Sequence, residues 1–234
     1  MRLLAFVLAA SVLGSAPALA GGKSEQAPSL VGTVLTHPVA APDFSLDDQH
    51  GAAFRLADAR GSVVVLTFIY THCTDLCPYV AIKVKKVISL LGADARRARF
   101  VAVTTDPARD TREVTAEYSR AAGLFAEWHF LSGPSEAVAA VWRDFGIGVR
   151  VKAPADSEGG EGPADEAQIR TAGLGAADLA AADGIARRFG GGYEVSHSTP
   201  FWLVDPRGII RVSLDSSASP ADLVTDVRLL LGER

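Results

Sequence analysis

Apolar positions along the chain alternate between a period of two and a period near 3.6. Asp43-Phe44-Ser45-Leu46 and Phe54-Arg55-Leu56 alternate around the turn residues Asp47, Asp48 and Gly51, which predicts a hairpin. Residues 63–69 form a nearly unbroken apolar, β-branched run, the mark of a strand buried on both faces. The period then lengthens. Val80, Val84, Val87 and Leu91 recur at helical spacing, Ile88 widens the stripe, and Lys83, Lys85 and Lys86 lie largely off it. Pro78 suits the first helical position and Gly92 the stop. A second buried strand at residues 100–103 leads into Thr104-Thr105-Asp106-Pro107, after which Asp110 and Glu113 read as a capping box for a helix ending at Gly123. Residues 128–131 form a short strand, and Pro134 opens a helix with Val138, Val141, Trp142 and Phe145 on one face.

Residues 152–192 break this rhythm. Asp156, Glu158, Glu161, Asp165 and Glu166 stand among glycines and prolines, followed by an Ala/Gly-rich stretch, and the segment reads as a surface insertion with one short helix at 176–187. Its composition offers little for a core, so the segment is expected to tolerate shortening. Phe201-Trp202-Leu203-Val204 and residues 209–212 then flank the turn Asp205-Pro206-Arg207-Gly208, and Ser219 and Pro220 open a final helix. Strands and helices alternate without an internal repeat, so the fold class is α/β. At the other end, Arg2, an apolar run from 3 to 13 and Ala18-Leu19-Ala20 read as an export signal over residues 1–20, with an uncleaved membrane anchor as the alternative. The apolar run is short for a bilayer span, and no cysteine follows it to carry a lipid. Residues 21–40 read as a linker and 41–234 as one domain.

Composition narrows the chemistry. With 234 residues, 48% of them hydrophobic, the chain can build a core, and a net charge of -4 leaves no basic field for a nucleic-acid backbone. Membrane contact, if the signal is cleaved, is peripheral or absent. Two cysteines exclude a disulfide-dense scaffold and a four-thiolate cluster, and the single methionine excludes a methionine-rich copper carrier. The remaining candidates are Cys73, Cys77 and the histidines His37, His50, His72, His129 and His197. The implied compartment is the bacterial periplasm, where a cysteine pair can oxidise.

Cys73 and Cys77 stand between a buried strand and a helix start, where backbone N–H groups and the helix dipole favour thiolate. Thiolate is both the nucleophile of disulfide exchange and a ligand for soft ions. At i and i+4 the pair can converge on one ion or close a disulfide. A purely structural disulfide is the alternative, although so short a loop removes little chain entropy. Structural zinc wants four ligands, whereas Cu(I) accepts fewer and softer ones. His197, just before an apolar strand, is a candidate third ligand. His72 reads as an exposed neighbour of Cys73, His129 as the solvent-facing member of its strand, and His37 and His50 as linker and turn residues.

Tyr70-Thr71-His72-Cys73-Thr74-Asp75-Leu76-Cys77-Pro78 resembles the T-x-C-P-D-x-C-P signature of the SCO/SenC family of copper-binding proteins. Asp106-Pro107-x-Arg109-Asp110-Thr111 resembles that family's D-P-x-R-D-T loop, and Val195-x-His197-Ser198-Thr199 with Leu203-x-Asp205-x-x-Gly208 its histidine strand and turn. The resemblance implies a thioredoxin-like fold, a central mixed sheet flanked by helices with an N-terminal hairpin. It implies copper, as Cu(I) or Cu(II), on Cys73, Cys77 and His197, with Asp75 and Asp106 as orienting or docking residues. It also implies delivery of copper to the binuclear centre of the copper-bearing subunit of cytochrome c oxidase, or reduction of that centre's cysteines. Two departures stand out. Thr74 replaces the usual proline, and Pro200 occupies the place of the thioredoxin cis-proline, so a cis Thr199–Pro200 bond is expected. If Cys73 and Cys77 act as a redox pair, the alternative is a thiol–disulfide oxidoreductase. A thiol peroxidase is disfavoured, because no Pro-x-x-x-Thr-x-x-Cys segment precedes either cysteine.

Overall fold

A computed structural model describes residues 29–124, 128–152 and 172–232. The expected export signal, the first part of the linker and residues 153–171 of the insertion lie outside the described residues. Ten strands are described: β1 (Thr33–Ala40), β2 (Ser45–Asp47), β3 (Ala53–Arg55), β4 (Val63–Ile69), β5 (Ala98–Thr104), β6 (Trp128–Leu131), β7 (Val149–Lys152), β8 (Glu194–His197), β9 (Phe201–Val204) and β10 (Ile209–Leu214). The described helices are α1 (Leu76–Leu91), α2 (Arg112–Ala122), α3 (Ser135–Asp144), α4 (Ala176–Phe189) and α5 (Pro220–Gly232).

Six strands form one mixed sheet in the order β1-β10-β9-β4-β5-β6. β4, β5 and β6 run parallel, while β9 runs antiparallel to β4, β10 to β9 and β1 to β10. The apolar run of β4 divides by parity. Val63, Val65 and Ile69 face a core shared with α1, α2, α4 and α5, and Val64, Leu66 and Phe68 face a second core under α3 and the β2–β3 hairpin. Each fully buried side chain of this kind is worth about 1.5–3 kcal/mol, which is why a strand with no polar alternation sits at the centre. The sheet is the expected thioredoxin-like architecture, and β2–β3 is the expected hairpin, with Leu46 opposite Phe54. β7 and β8 form a further antiparallel pair, with Val149 opposite His197.

The structure departs from the sequence reading at several elements. Residues 33–40, read as linker, are strand β1 at the sheet edge. Seven of its eight residues are exposed, so it carries no burial pattern to detect, and its hold is backbone pairing to β10. Two N–H groups just before it, on Val31 and Gly32, donate to the buried carboxylate of Asp226 at 2.6 and 2.9 Å. The second half of the insertion is integral, because α4 buries Ala182 and Ile185 in the main core. α1 begins at Leu76, so Cys77 lies inside its first turn and Pro78 follows where its missing N–H costs no intrahelical bond. The Thr199–Pro200 bond is trans, as are all described peptide bonds. Residues 198–200 join β8 to β9 with no turn or bend, and the trans form keeps its ordinary advantage of about 0.5–1 kcal/mol there.

Candidate metal centre

The site lies where β4 ends. The chain leaves the sheet at Ile69, crosses residues 70–75 and enters α1. Cys73 sits in the crossing and Cys77 in the first helical turn. Both are buried and both are free thiols. The N–H of Asp75 donates to Cys73 Sγ at 3.4 Å, as expected for a sulfur held at a helix start. A hydrogen bond from the Cys77 side chain, helped by the backbone N–H groups of Cys77 and Asp75, pulls the Cys73 thiol below its ordinary range against the effect of burial. Burial pushes the Cys77 thiol well above its ordinary range, and the neighbouring Cys73 adds to the rise. The pair is therefore asymmetric: thiolate is more easily reached at Cys73 than at Cys77.

His197 arrives from β8, 120 residues further along the chain, and its Nε2 stands 3.6 Å from Cys77 Sγ. Its Nδ1 lies 3.0 Å from the carbonyl oxygen of Ser198. A proton on Nδ1 satisfies that carbonyl and leaves the Nε2 lone pair directed at the sulfur, the tautomer a ligating imidazole requires. Burial pushes the imidazole below its ordinary value, which favours the same neutral form. The Tyr70 ring meets that of His197 edge-on, with centroids 5.6 Å apart. Among the described residues, no three Cys, His, Asp or Glu side chains form a finished ion cage. The Cys73–Cys77 and Cys77–His197 contacts share one sulfur, that of Cys77.

The other residues singled out in the sequence fall at varied distances from this centre. Asp75 holds the position just before α1 and makes no side-chain cap bond there. Thr74 is exposed, and Gly190 comes so close to it that a Cβ at 190 would lie 2.4 Å from its methyl group. His72 is half-buried, with Nδ1 2.8 Å from the Thr71 hydroxyl. His129 is not free in solvent: its Nδ1 lies 3.1 Å from the buried carboxylate of Asp48 and its ring packs at a tilt of 44° against that of Phe54. His37 is exposed on β1 and His50 in the hairpin turn, away from the thiols.

Asp110 is a residue whose role the sequence disguised. It does not cap α2; the Thr111 hydroxyl does, accepting from the Val114 N–H. The Asp110 carboxylate is fully buried and accepts from the Thr71 hydroxyl at 2.5 Å, the Thr104 hydroxyl at 2.6 Å and the Thr71 N–H. It ties the cysteine loop to the end of β5.

A family model described as SCO1/SenC matches residues 34–172. Among curated proteins, the chain is 31% identical over 186 residues to a mitochondrial SCO2 homologue of Bos taurus, covering 79% of this chain and 56% of that protein. It is 30% identical to the corresponding protein of Mus musculus, covering 80% of this chain and 60% of that one. The chain thus spans a little over half the length of these relatives. Among solved structures, apo Sco1 of Thermus thermophilus is 25% identical with a TM-score of 0.62, covering 87% of this chain and 98% of that one. ScoI of Bradyrhizobium japonicum with copper bound is 20% identical with a TM-score of 0.61, covering 82% of this chain and all of that one, a likeness of fold.

Proposed function

The chain belongs to the SCO1/SenC family, and from that premise we propose that it binds one copper ion through Cys73, Cys77 and His197 and serves the assembly of the copper centre of cytochrome c oxidase outside the cytoplasm. The contact between Cys77 Sγ and His197 Nε2 at 3.6 Å carries the proposal. Two sulfurs and one imidazole are a soft donor set, three ligands suffice for Cu(I), and a closed zinc site would want a fourth. Family members are known with copper bound, from Bradyrhizobium japonicum, Arabidopsis thaliana and yeast. A further solved relative, BsSco, is described as a member of the Sco family of cytochrome c oxidase assembly proteins with a disulfide switch.

The cargo enters as copper ion and leaves to a receiving thiol or imidazole site. Cys73 supplies a thiolate, and Cys77 releases its proton on binding. His197 Nε2 completes the set without a change of tautomer. The test is copper stoichiometry of the reduced protein, expected to be one ion per chain. The Cys73→Ser, Cys77→Ser double variant is expected to hold none, and retention of tight, stoichiometric Cu(I) by it would overturn the proposal.

The asymmetry of the thiols supports a second activity, reduction of a client disulfide. The Cys73 thiolate attacks one client sulfur, forming a mixed disulfide and releasing one client thiolate. Cys77 attacks Cys73 Sγ, and its proton passes by way of His197 Nε2 to the second client sulfur as that leaves as a thiol. The client gains two electrons and the Cys73–Cys77 pair loses two. Copper-free protein that reduces a model disulfide, and loses this ability in Cys73→Ser, would establish it. Cys73→Ser reducing the model disulfide as fast as wild type would exclude it.

A further inference from the structure

The segment between α4 and β8 carries His197 into the site, and two side chains from the β5–α2 connection, Arg109 and Asp106, hold it. Arg109 donates through Nη1 to the carbonyl of Gly191 at 2.9 Å and through Nη2 to the carbonyl of Tyr193 at 2.9 Å. Its Nε pairs with the carboxylate of Asp106. The guanidinium carbon lies 3.6 Å from the centre of the Tyr193 ring, and the Tyr193 hydroxyl donates to the other Asp106 oxygen at 2.7 Å. Two backbone carbonyls, one carboxylate and one aromatic face thus converge on a single planar cation. Gly192 makes the approach possible: its φ is +79°, and a Cβ there would lie 2.8 Å from Arg109 Nη1.

The chain beyond this latch leads directly to the metal ligand. Tyr193 is followed by β8, whose Val195 N–H donates to the Tyr70 hydroxyl at 3.3 Å and whose last residue, His197, abuts the Tyr70 ring. The connection that supplies Arg109 also supplies Asp110, which holds the cysteine loop through Thr71. One short segment therefore grips both halves of the site: Asp110 holds the thiols, and Arg109 with Asp106 holds the imidazole strand.

We infer that Arg109 is a positioning residue that sets where β8 presents His197 to the cysteines, acting through its fork on Gly191 and Tyr193. The inference rests on the copper site proposed above. Lysine cannot replace it, because an ammonium group is a point donor that cannot span two carbonyls and a carboxylate while stacking on a ring.

The test compares wild type with Arg109→Lys, Arg109→Ala and Tyr193→Phe. In copper-free protein, nuclear Overhauser contacts between the Tyr70 and His197 rings report the latch directly. They are expected to be lost in both Arg109 variants and weakened in Tyr193→Phe. In loaded protein, Cu(II) affinity is expected to fall about 10–100-fold in Arg109→Lys, as for loss of a side chain that supports a ligand, with loss of imidazole nitrogen hyperfine coupling in the electron paramagnetic resonance spectrum. Cu(I), held by the two sulfurs, should change far less. Arg109→Lys with wild-type ring contacts and wild-type Cu(II) affinity would overturn the inference. So would equal loss of both ions with a lost melting transition, since that marks a structural role only. Should Arg109→Ala not fold, Tyr193→Phe, which removes one hydroxyl, still decides. Failure of wild type to bind copper through sulfur would refute the copper reading and leave the ring contacts to judge the latch.

Discussion

Asp110 illustrates how a single carboxylate can be misassigned and still be indispensable. It sits three residues before Glu113 and so fits a capping signature, yet Thr111 takes that task. The carboxylate instead turns inward to donors from Thr71 and Thr104. Sequence distance hides this, because Thr71 is 39 residues away and belongs to a different strand end. Asp110→Ala strands these buried donors, each costing about 1–3 kcal/mol when unpaired. A loss of about 2–4 kcal/mol is expected in urea unfolding after partial relaxation and water entry. A loss under about 1 kcal/mol would mean that the donors find other partners. The candidate ligands were legible at this scale: Cys73 and Cys77 by their place at a helix start, and His197 by the motif containing it. Arg109 and Asp106 stood inside a recognised motif, but no periodicity announced what they hold. Tyr193 carried no signal at all, because its role depends on a guanidinium 84 residues earlier in the chain.

Elements with strong burial periodicity were read nearly to the residue, and elements held by other means were not. β4 and α3 follow their apolar patterns because burial on a defined face is what holds them. β1 has no buried face, so its pairing to β10 left no trace in the pattern. α4 hides its contribution in small residues, presenting Ala182 and Ile185 inward and tying outward charges by Asp178 to Lys86 and Arg188 to Glu117. Removing residues 176–189 is therefore expected to abolish a cooperative melt, contrary to the tolerance that composition suggested. α1 breaks its own pattern at Lys83, which is buried with Nζ donating to the Ser216 carbonyl at 2.6 Å. Burial lowers this lysine from 10.5 to about 8. Between those values the unfolded chain keeps a proton that the native state has released, so stability rises with pH across the window. Below it both states are protonated and the burial penalty acts in full. Lys83→Met has no proton to release, so its stability relative to wild type should fall by of order 1–2 kcal/mol between neutral pH and about pH 10. Parallel pH profiles for the two proteins would show that Lys83 does not titrate in this range.

At the scale of the whole molecule, the site is a junction between distant parts of the chain. The cysteines lie at the end of β4, the anchoring residues Arg109 and Asp110 at the end of β5, and His197 on a strand outside the main sheet. Folding brings these parts together, and this has a thermodynamic signature. Cys73 and Cys77 are close in sequence, so the unfolded chain can offer both thiolates to copper almost as well as the native state. A ligand that binds both states stabilises little. His197 is 120 residues from Cys77, and its imidazole is near the sulfurs only in the folded protein. The part of the binding energy that favours the native state therefore comes largely through His197. At about a hundredfold excess of ion over its dissociation constant, selective native binding adds about 2.7 kcal/mol. For a chain of this size that is a rise of about 5–10 °C in melting temperature. Wild type loaded with copper is expected to show this rise, and His197→Ala is expected to show less than about half of it, even where the ion remains bound to the two thiolates. Calorimetry of both proteins, with and without copper, makes the comparison. An equal rise in wild type and His197→Ala would mean that the two cysteines bind copper without the imidazole.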